Sequence, residues 1–287
     1  KRVNPRPPPS PPRAPPPRHY PTGGWGYRWF GEPDGGYGKR QPGGWGYNIL
    51  EFIEQPALRR LGQGVTDINA RQPLLRQVAE TLPAVFNCPS KRPLRGYPVA
   101  QRHVTLANNL FGCRFDNECR VGRNDYRANA GNRTATDQQG PDLFANPDTY
   151  GWNPVDAGLF YVQTGVTFRR SAVRVGHVTD GTARTLLLGE KYLDPAHYED
   201  GEDSADDQSV FIGHDRDNAG YTGDSRTDVY EPHADMEGAQ GKEYDYAFGG
   251  AHATGFNMAY CDGSVHFMTY EVDSDIWWLA GGRSDEE

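Results

Sequence analysis

The chain has 287 residues, enough for one large domain, and sets a modest apolar fraction of 36% against 35 Gly and 23 Pro; that balance favours a loop-rich, β-containing extracellular protein over a compact helical enzyme. Its formal charge of -8 argues against a general affinity for nucleic acid or an anionic membrane, since both are themselves negative. No apolar run is long enough to span a bilayer, and no signal peptide is recognisable.

From the N-terminus, Lys1 to Tyr20 carries Pro5, Pro7 to Pro9, Pro11, Pro12 and Pro15 to Pro17 among arginines. Such a run excludes a helix and is expected to be an extended arm over residues 1–20, with 21–287 forming a single globular domain. Trp25 to Trp45 is rich in Gly, Trp and Tyr, suited either to covering a core or to a sugar platform, with cover the stronger expectation. No Gly-Lys-Ser/Thr follows these glycines, so a phosphate loop is not supported. Ile49, Leu50, Ile53, Ala57, Leu58 and Leu61 fall on one face of a helix expected over 48–61, capped by Asn48 and kinked at Pro56. Glu51 and Glu54 on that helix read as a solvated face and not as a catalytic pair. A second helix is expected from Gln72 to Thr81.

The middle of the chain reads as loop with strand-like pieces at Tyr126–Gly131, Gly158–Thr167, Ser171–Val178 and Leu186–Leu188, the last preceded by a turn at Thr179-Asp180-Gly181. Asn132-Arg133-Thr134 has the pattern of a glycosylation sequon. Glu190, leaving the last of these strands, is a ligand, an acid or a structural charge. Between Glu199 and Asp245 there are fifteen Asp and Glu against three Arg and Lys, a density that suits a solvated loop or a divalent-cation site. Asp215, Asp217 and Asn218 with Gly220 have the alternate oxygens and the glycine that open a calcium loop. Ala219 and Arg226 break the EF-hand pattern, so Ca2+ is a candidate ligand against a solvated acidic loop as the default.

Asp262-Gly263 lies between two short runs of aromatic and β-branched residues, the local signature of a hairpin with a two-residue turn. That turn would set Tyr260 opposite Val265, Met258 opposite Phe267 and Phe256 opposite Thr269 on a core-facing side, with Met268 as an exception on the other. Ser274 to Ala280 is expected to be a short helix docking on the sheet. His252 stands ten residues before Asp262. It reads as a metal ligand or general base, or, more simply, as a ring bonding backbone in the Gly249 to Gly255 loop.

His252, Asp262 and Gly263 together form the His-x9-Asp-Gly pattern, and this segment resembles the prepilin-type domain that carries it in a large bacterial family of surface proteins. The resemblance extends to Trp45–Gln55, Phe86-Asn87-Cys88-Pro89-Ser90, Asp125–Gly131, and Val178–Thr185 running into Gly189-Glu190, five pieces in family order. It implies an α+β, pilin-like globular domain with early helices, an antiparallel sheet and long loops. It also implies a structural subunit of an extracellular filament or cell-surface assembly, partnered by copies of itself and without an enzymatic role. The alternative is a secreted, calcium-dependent adhesive protein that binds cell-surface glycans. The usual apolar pilin helix is not seen, and the arm with Arg2, Arg6, Arg13 and Arg18 is the candidate replacement contact. The implied oxidising compartment favours disulfides over free thiols among Cys88, Cys113, Cys119 and Cys261, for which sequence allows three pairings, Cys113–Cys119 with Cys88–Cys261 among them.

Overall fold

The computed structural model describes residues 18–99, 108–109, 120–134, 137–142, 146–152, 163–239 and 241–285. The expected arm, residues 1–17 of it, and the expected Cys113–Cys119 pair lie outside the described residues. The first expected helix is two helices. α1 (Trp45–Asn48) gives way to turns, and α2 (Pro56–Arg59) begins afresh with Pro56 in its first position. Proline lacks the N–H that a helix interior requires but fits where that donor has no partner anyway, so Pro56 starts a helix instead of kinking one. Asn48 therefore closes α1, donating its side-chain amide to the carbonyls of Gly43 and Gly44. The apolar face survives the break: Leu50 is buried, and Ile49, Ile53, Leu58 and Leu61 pack on the cluster of Phe30, Trp45, Tyr47 and Phe211. α3 (Ile68–Glu80) begins earlier than the periodicity suggests because Asp67 accepts from the Ala70 N–H and caps it. Trp25, Trp29 and Trp45 are buried with their indole N–H groups donated to the carbonyls of Lys39, Pro141 and Asn218, so these aromatics cover the core.

Strands β1 (Tyr97–Pro98) and β2 (Arg120–Val121) form a small ladder ahead of the main sheet. That sheet has β3 (Tyr126–Gly131), β4 (Leu186–Glu190) and β5 (Ala219–Tyr221). Beyond it run β6 (Gly223–Ser225), β7 (Asp228–Val229), β8 (His233–Ala234), the short helix α4 (Lys242–Asp245) and β9 (Gly249–Gly250). β10 (Gly255–Tyr260) and β11 (Val265–Thr269) complete the main sheet in the order β11-β10-β4-β3-β5. Its pairs are antiparallel except β3 with β5, which is parallel. The fold is α+β with early helices and long loops, as expected.

Two expected strands are absent. Ser171–Val178 turns through a single 3-10 turn at Val175–His177, where the His177 and Val178 N–H groups bond to Arg174 and Val175. Residues 163–167, the described part of the other, run as irregular chain beside β3, with Gly165 and Val166 donating to the Ala130 and Asn129 carbonyls. Ala128 and its cross-strand neighbour Leu188 face the helical layer. On the opposite side Phe256 and Met258 meet Trp277 of α5 (Ser274–Gly281), whose indole lies edge-on to Phe248 and Phe256 at 5.8 and 5.9 Å. Among the described residues no helix is long and apolar enough to cross a membrane.

The hairpin differs from expectation by one residue. The Gly263 N–H donates to the Tyr260 carbonyl and the Tyr260 N–H to Ser264, both at 2.9 Å, and Gly263 has φ +88°. The loop is thus the three residues Cys261-Asp262-Gly263, closed by a glycine in the left-handed region, in place of a two-residue turn. The extra residue slips the register to Ala259↔Val265, Met258↔His266, Asn257↔Phe267 and Phe256↔Met268. Since side chains alternate with period two, the whole of β11 is turned over: Met268 points to the core, and Val265 and Phe267 point away from it at 64% and 55% exposure.

Candidate functional site

Three segments that are distant in sequence meet at one end of β4. Cys88 follows a 3-10 turn, and its N–H donates to the Asp125 carboxylate at 2.6 Å, which fixes the thiol beside the start of β3. Glu190 is the last residue of β4, directly opposite Tyr126. His252 sits in the loop between β9 and β10, where the Tyr270 hydroxyl lies against the carbonyls of Gly250, His252 and Gly255, nearest His252 at 2.8 Å. Donor atoms of Cys88, Glu190 and His252 all lie within 4.8 Å of one another, the one such group of His, Cys, Asp and Glu found among the described residues. His252 Nε2 stands 3.4 Å from Glu190 Oε1. The other carboxylate oxygen accepts from the Asn257 N–H at 2.6 Å and its side-chain amide at 3.3 Å. Tyr126, beside the cluster, has its phenol pushed up to about 12, first by burial and then by the nearby Cys88, Glu190 and Asp125.

The His-x9-Asp-Gly residues therefore divide between two places. β10 separates them, and its six residues at about 3.4 Å each span roughly 20 Å. His252 joins Cys88 and Glu190 at one end. Asp262 and Gly263 build the turn at the other, where Asp262 Oδ1 accepts from the Ser264 N–H and hydroxyl and the Asp262 N–H bonds Thr182. Those Ser264 bonds hold the exposed Asp262 carboxyl below its ordinary range.

Cys88 and Cys261 are free thiols. Cys261 lies by the Leu186 carbonyl at the start of β4 and Cys88 by Glu190 at its end, roughly 13 Å apart along the strand and beyond the reach of a disulfide. The expected second bridge is thereby corrected. Burial pushes the Cys261 thiol up to about 12.

Asp215, Asp217 and Asn218 are buried, not solvated. Asn218 donates to the carbonyls of Ile212 and Gly213, Asp215 accepts from the Gln208 side chain at 2.6 Å, and Asp217 Oδ1 accepts from the Gln208 N–H. Burial, reinforced by neighbouring carboxylates, raises both acids well above the usual range. Asn132 of the sequon is also buried and donates its side-chain amide to Asp285. Glu51 is tied to Tyr37 and Arg60, a structural role.

Sequence reading missed a buried ionic network. Arg92 bonds Asp125 at 2.7 Å and Asp206 at 3.0 Å, and Lys191 bonds Asp206 at 2.7 Å, with all four side chains fully buried. The available signal was the apolar run Val210-Phe211-Ile212, which must be inside and draws its acidic neighbours in with it. Elsewhere a surface cleft of about 660 Å³ is lined by Tyr192, Asp194, His197, Glu202, Asp203 and Tyr244 among others.

A family model described as "Protein of unknown function (DUF1559)" matches residues 17–275. No curated protein and no solved structure matches the chain.

Proposed function

The chain belongs to the DUF1559 family of proteins of unknown function, and from that premise we propose that it is a structural subunit of an extracellular or cell-surface assembly, acting by association with copies of itself and not by turnover. The observation that carries this reading is the β11 edge. β11 ends the main sheet, and among the described residues its strand neighbour is β10 alone. The slipped register leaves Val265 and Phe267 exposed on it, and Val265–Thr269 contains no Pro, Lys or Arg. An edge with unpaired backbone groups and apolar side chains is a template for another strand, and monomeric proteins usually blunt such edges with charge or proline. A second copy adding a strand there would pair the backbone and cover both side chains. The prepilin-type resemblance around His252, Asp262 and Gly263 supports the same reading.

The test is sedimentation of the wild-type chain beside a Val265→Lys/Phe267→Lys double variant over a range of concentrations. The wild type should associate, and the double variant should keep its circular dichroism and stay monomeric. A wild type that is monomeric throughout, or a variant that associates equally, would contradict the proposal.

The cleft lined by Tyr192, Tyr244, Asp194, Glu202 and Asp203 favours a second reading, a calcium-dependent adhesive protein that binds cell-surface glycans, because sugar sites combine aromatic faces with hydrogen-bonding carboxylates. Glycan binding that requires calcium and is lost in Tyr244→Ala would support it; no glycan binding, with or without calcium, would remove it.

A further inference from the structure

We propose that Cys88, Glu190 and His252 form a binding site for a divalent transition metal of the zinc class, with one coordination position left to solvent or an exogenous donor. This goes beyond the association reading and does not depend on it.

Convergence is the first argument. In a nucleophile–base–acid relay the imidazole stands between thiol and carboxylate, one on each ring nitrogen, which holds sulfur and oxygen far apart. Here the sulfur, the carboxylate oxygen and the imidazole nitrogen are all within 4.8 Å of one another. Tetrahedral zinc, with bonds of about 2.0–2.3 Å, needs its donors roughly 3.3–3.8 Å apart. The His252–Glu190 separation is 3.4 Å, so only a small inward movement of the thiol side closes the set.

The donors also select the metal. Calcium and magnesium take oxygen ligands, whereas a thiolate with an imidazole and a carboxylate suits zinc and its neighbours. Coordination forms the sulfur–metal bond and releases the Cys88 thiol proton to solvent. Cys88 and Glu190 are only 4% and 3% exposed. A thiolate and a carboxylate buried together repel, and a dication compensates both charges.

The surrounding bonds orient each ligand as metal sites require. Asn257 occupies Glu190 Oε2 and leaves Oε1 turned to His252. Asp125 holds the Cys88 backbone and Tyr270 the His252 loop. His252, with its side chain 38% exposed, gives the ion its way in. The bound metal would clasp the turn after α3, the end of β4 and the loop before β10.

The experiment uses the full chain, stripped with chelator, kept reduced, and titrated with Co(II) and then Zn(II). The proposal expects about one Co(II) per chain, a near-ultraviolet thiolate-to-cobalt band with the strong visible bands of four-coordination, displacement by zinc, and a melting temperature raised by zinc because the ion binds only the native state. Cys88→Ser should abolish the charge-transfer band and Cys261→Ser should keep it. His252→Ala, at a partly exposed position that leaves the core intact, should weaken binding by at least about tenfold. A band that survives Cys88→Ser, affinity unchanged in His252→Ala, or a wild-type melting temperature indifferent to zinc would each overturn the assignment.

Discussion

Asp206 and Asp217 show at single residues how neighbouring charges shift two equally buried carboxyls in opposite senses. Asp206 is fully buried, and burial alone would raise its pKa, but Arg92 and Lys191 hold the carboxyl well below the usual range. A depressed folded-state pKa contributes stability that is present above the unfolded value of about 3.9 and is lost as pH falls through the folded value. Asp206→Asn should therefore destabilise the protein by about 3–5 kcal/mol at neutral pH, because the buried Lys191 loses its carboxylate partner and the buried Arg92 is left with Asp125 alone. The gap to wild type should narrow in strong acid. Equal denaturation midpoints at pH 7 would contradict this account of the network. At Asp217 the second carboxylate oxygen has no hydrogen-bond partner among the described residues; burial, then Asp207, raises its pKa well above normal. The sign reverses: its contribution is fully present below the unfolded pKa and is lost as pH rises through the folded one. Asp217→Asn should melt above wild type at neutral pH in the absence of calcium, by on the order of 1–3 kcal/mol, with the advantage fading in acid. A variant that melts lower and lacks a calcium-dependent rise shown by wild type would instead place a cation on Asp215 and Asp217.

At the scale of the element, the terminal hairpin rests on one backbone angle. Gly263 at φ +88° closes the three-residue loop, and a β-branched side chain resists that region, so Gly263→Val should cost about 1–3 kcal/mol; an unchanged unfolding midpoint would contradict the loop assignment. Asp262-Gly263 announced a turn in the sequence, but its length was not legible, because two- and three-residue loops accept the same dipeptide. That single residue decided the register and hence which face of β11 is buried. Met268, out of pattern for the tighter turn, was the residue that pointed to the slip. Strand Tyr126–Gly131, the apolar run Leu186–Leu188 that begins β4 and the helix at Ser274 were legible from local pattern. Pro56 was visible but ambiguous, since proline begins a helix as readily as it bends one. The convergence of Cys88, Glu190 and His252 was not legible at all, because it is made by the pairing of β3, β4 and β10 and no local spacing encodes it. The acidic stretch misled for a related reason: charge density suggests solvent, whereas Asp206 has its counter-charges at Arg92 and Lys191, one of them far away in sequence.

For the whole molecule, the sheet is covered by the α1–α3 layer on one side and by the α5 cluster, which reaches Met268 of β11, on the other, but the α1–α3 layer stops short of β11. Phe267 and Val265 lie on that uncovered margin beside a row of backbone groups without a strand partner among the described residues. The proposed association through this edge would account for the apolar side chains there and would make the hairpin the contact surface. A metal clasp at Cys88, Glu190 and His252 would stiffen the other end of β10 and so steady the edge that a second copy meets. The most direct measurement of the association claim is electron microscopy of the purified wild-type chain at high concentration beside the Val265→Lys/Phe267→Lys variant. The account predicts regular polymers or oligomers for the wild type and dispersed single particles for the variant; single particles in both samples, or the same polymer in both, would contradict it.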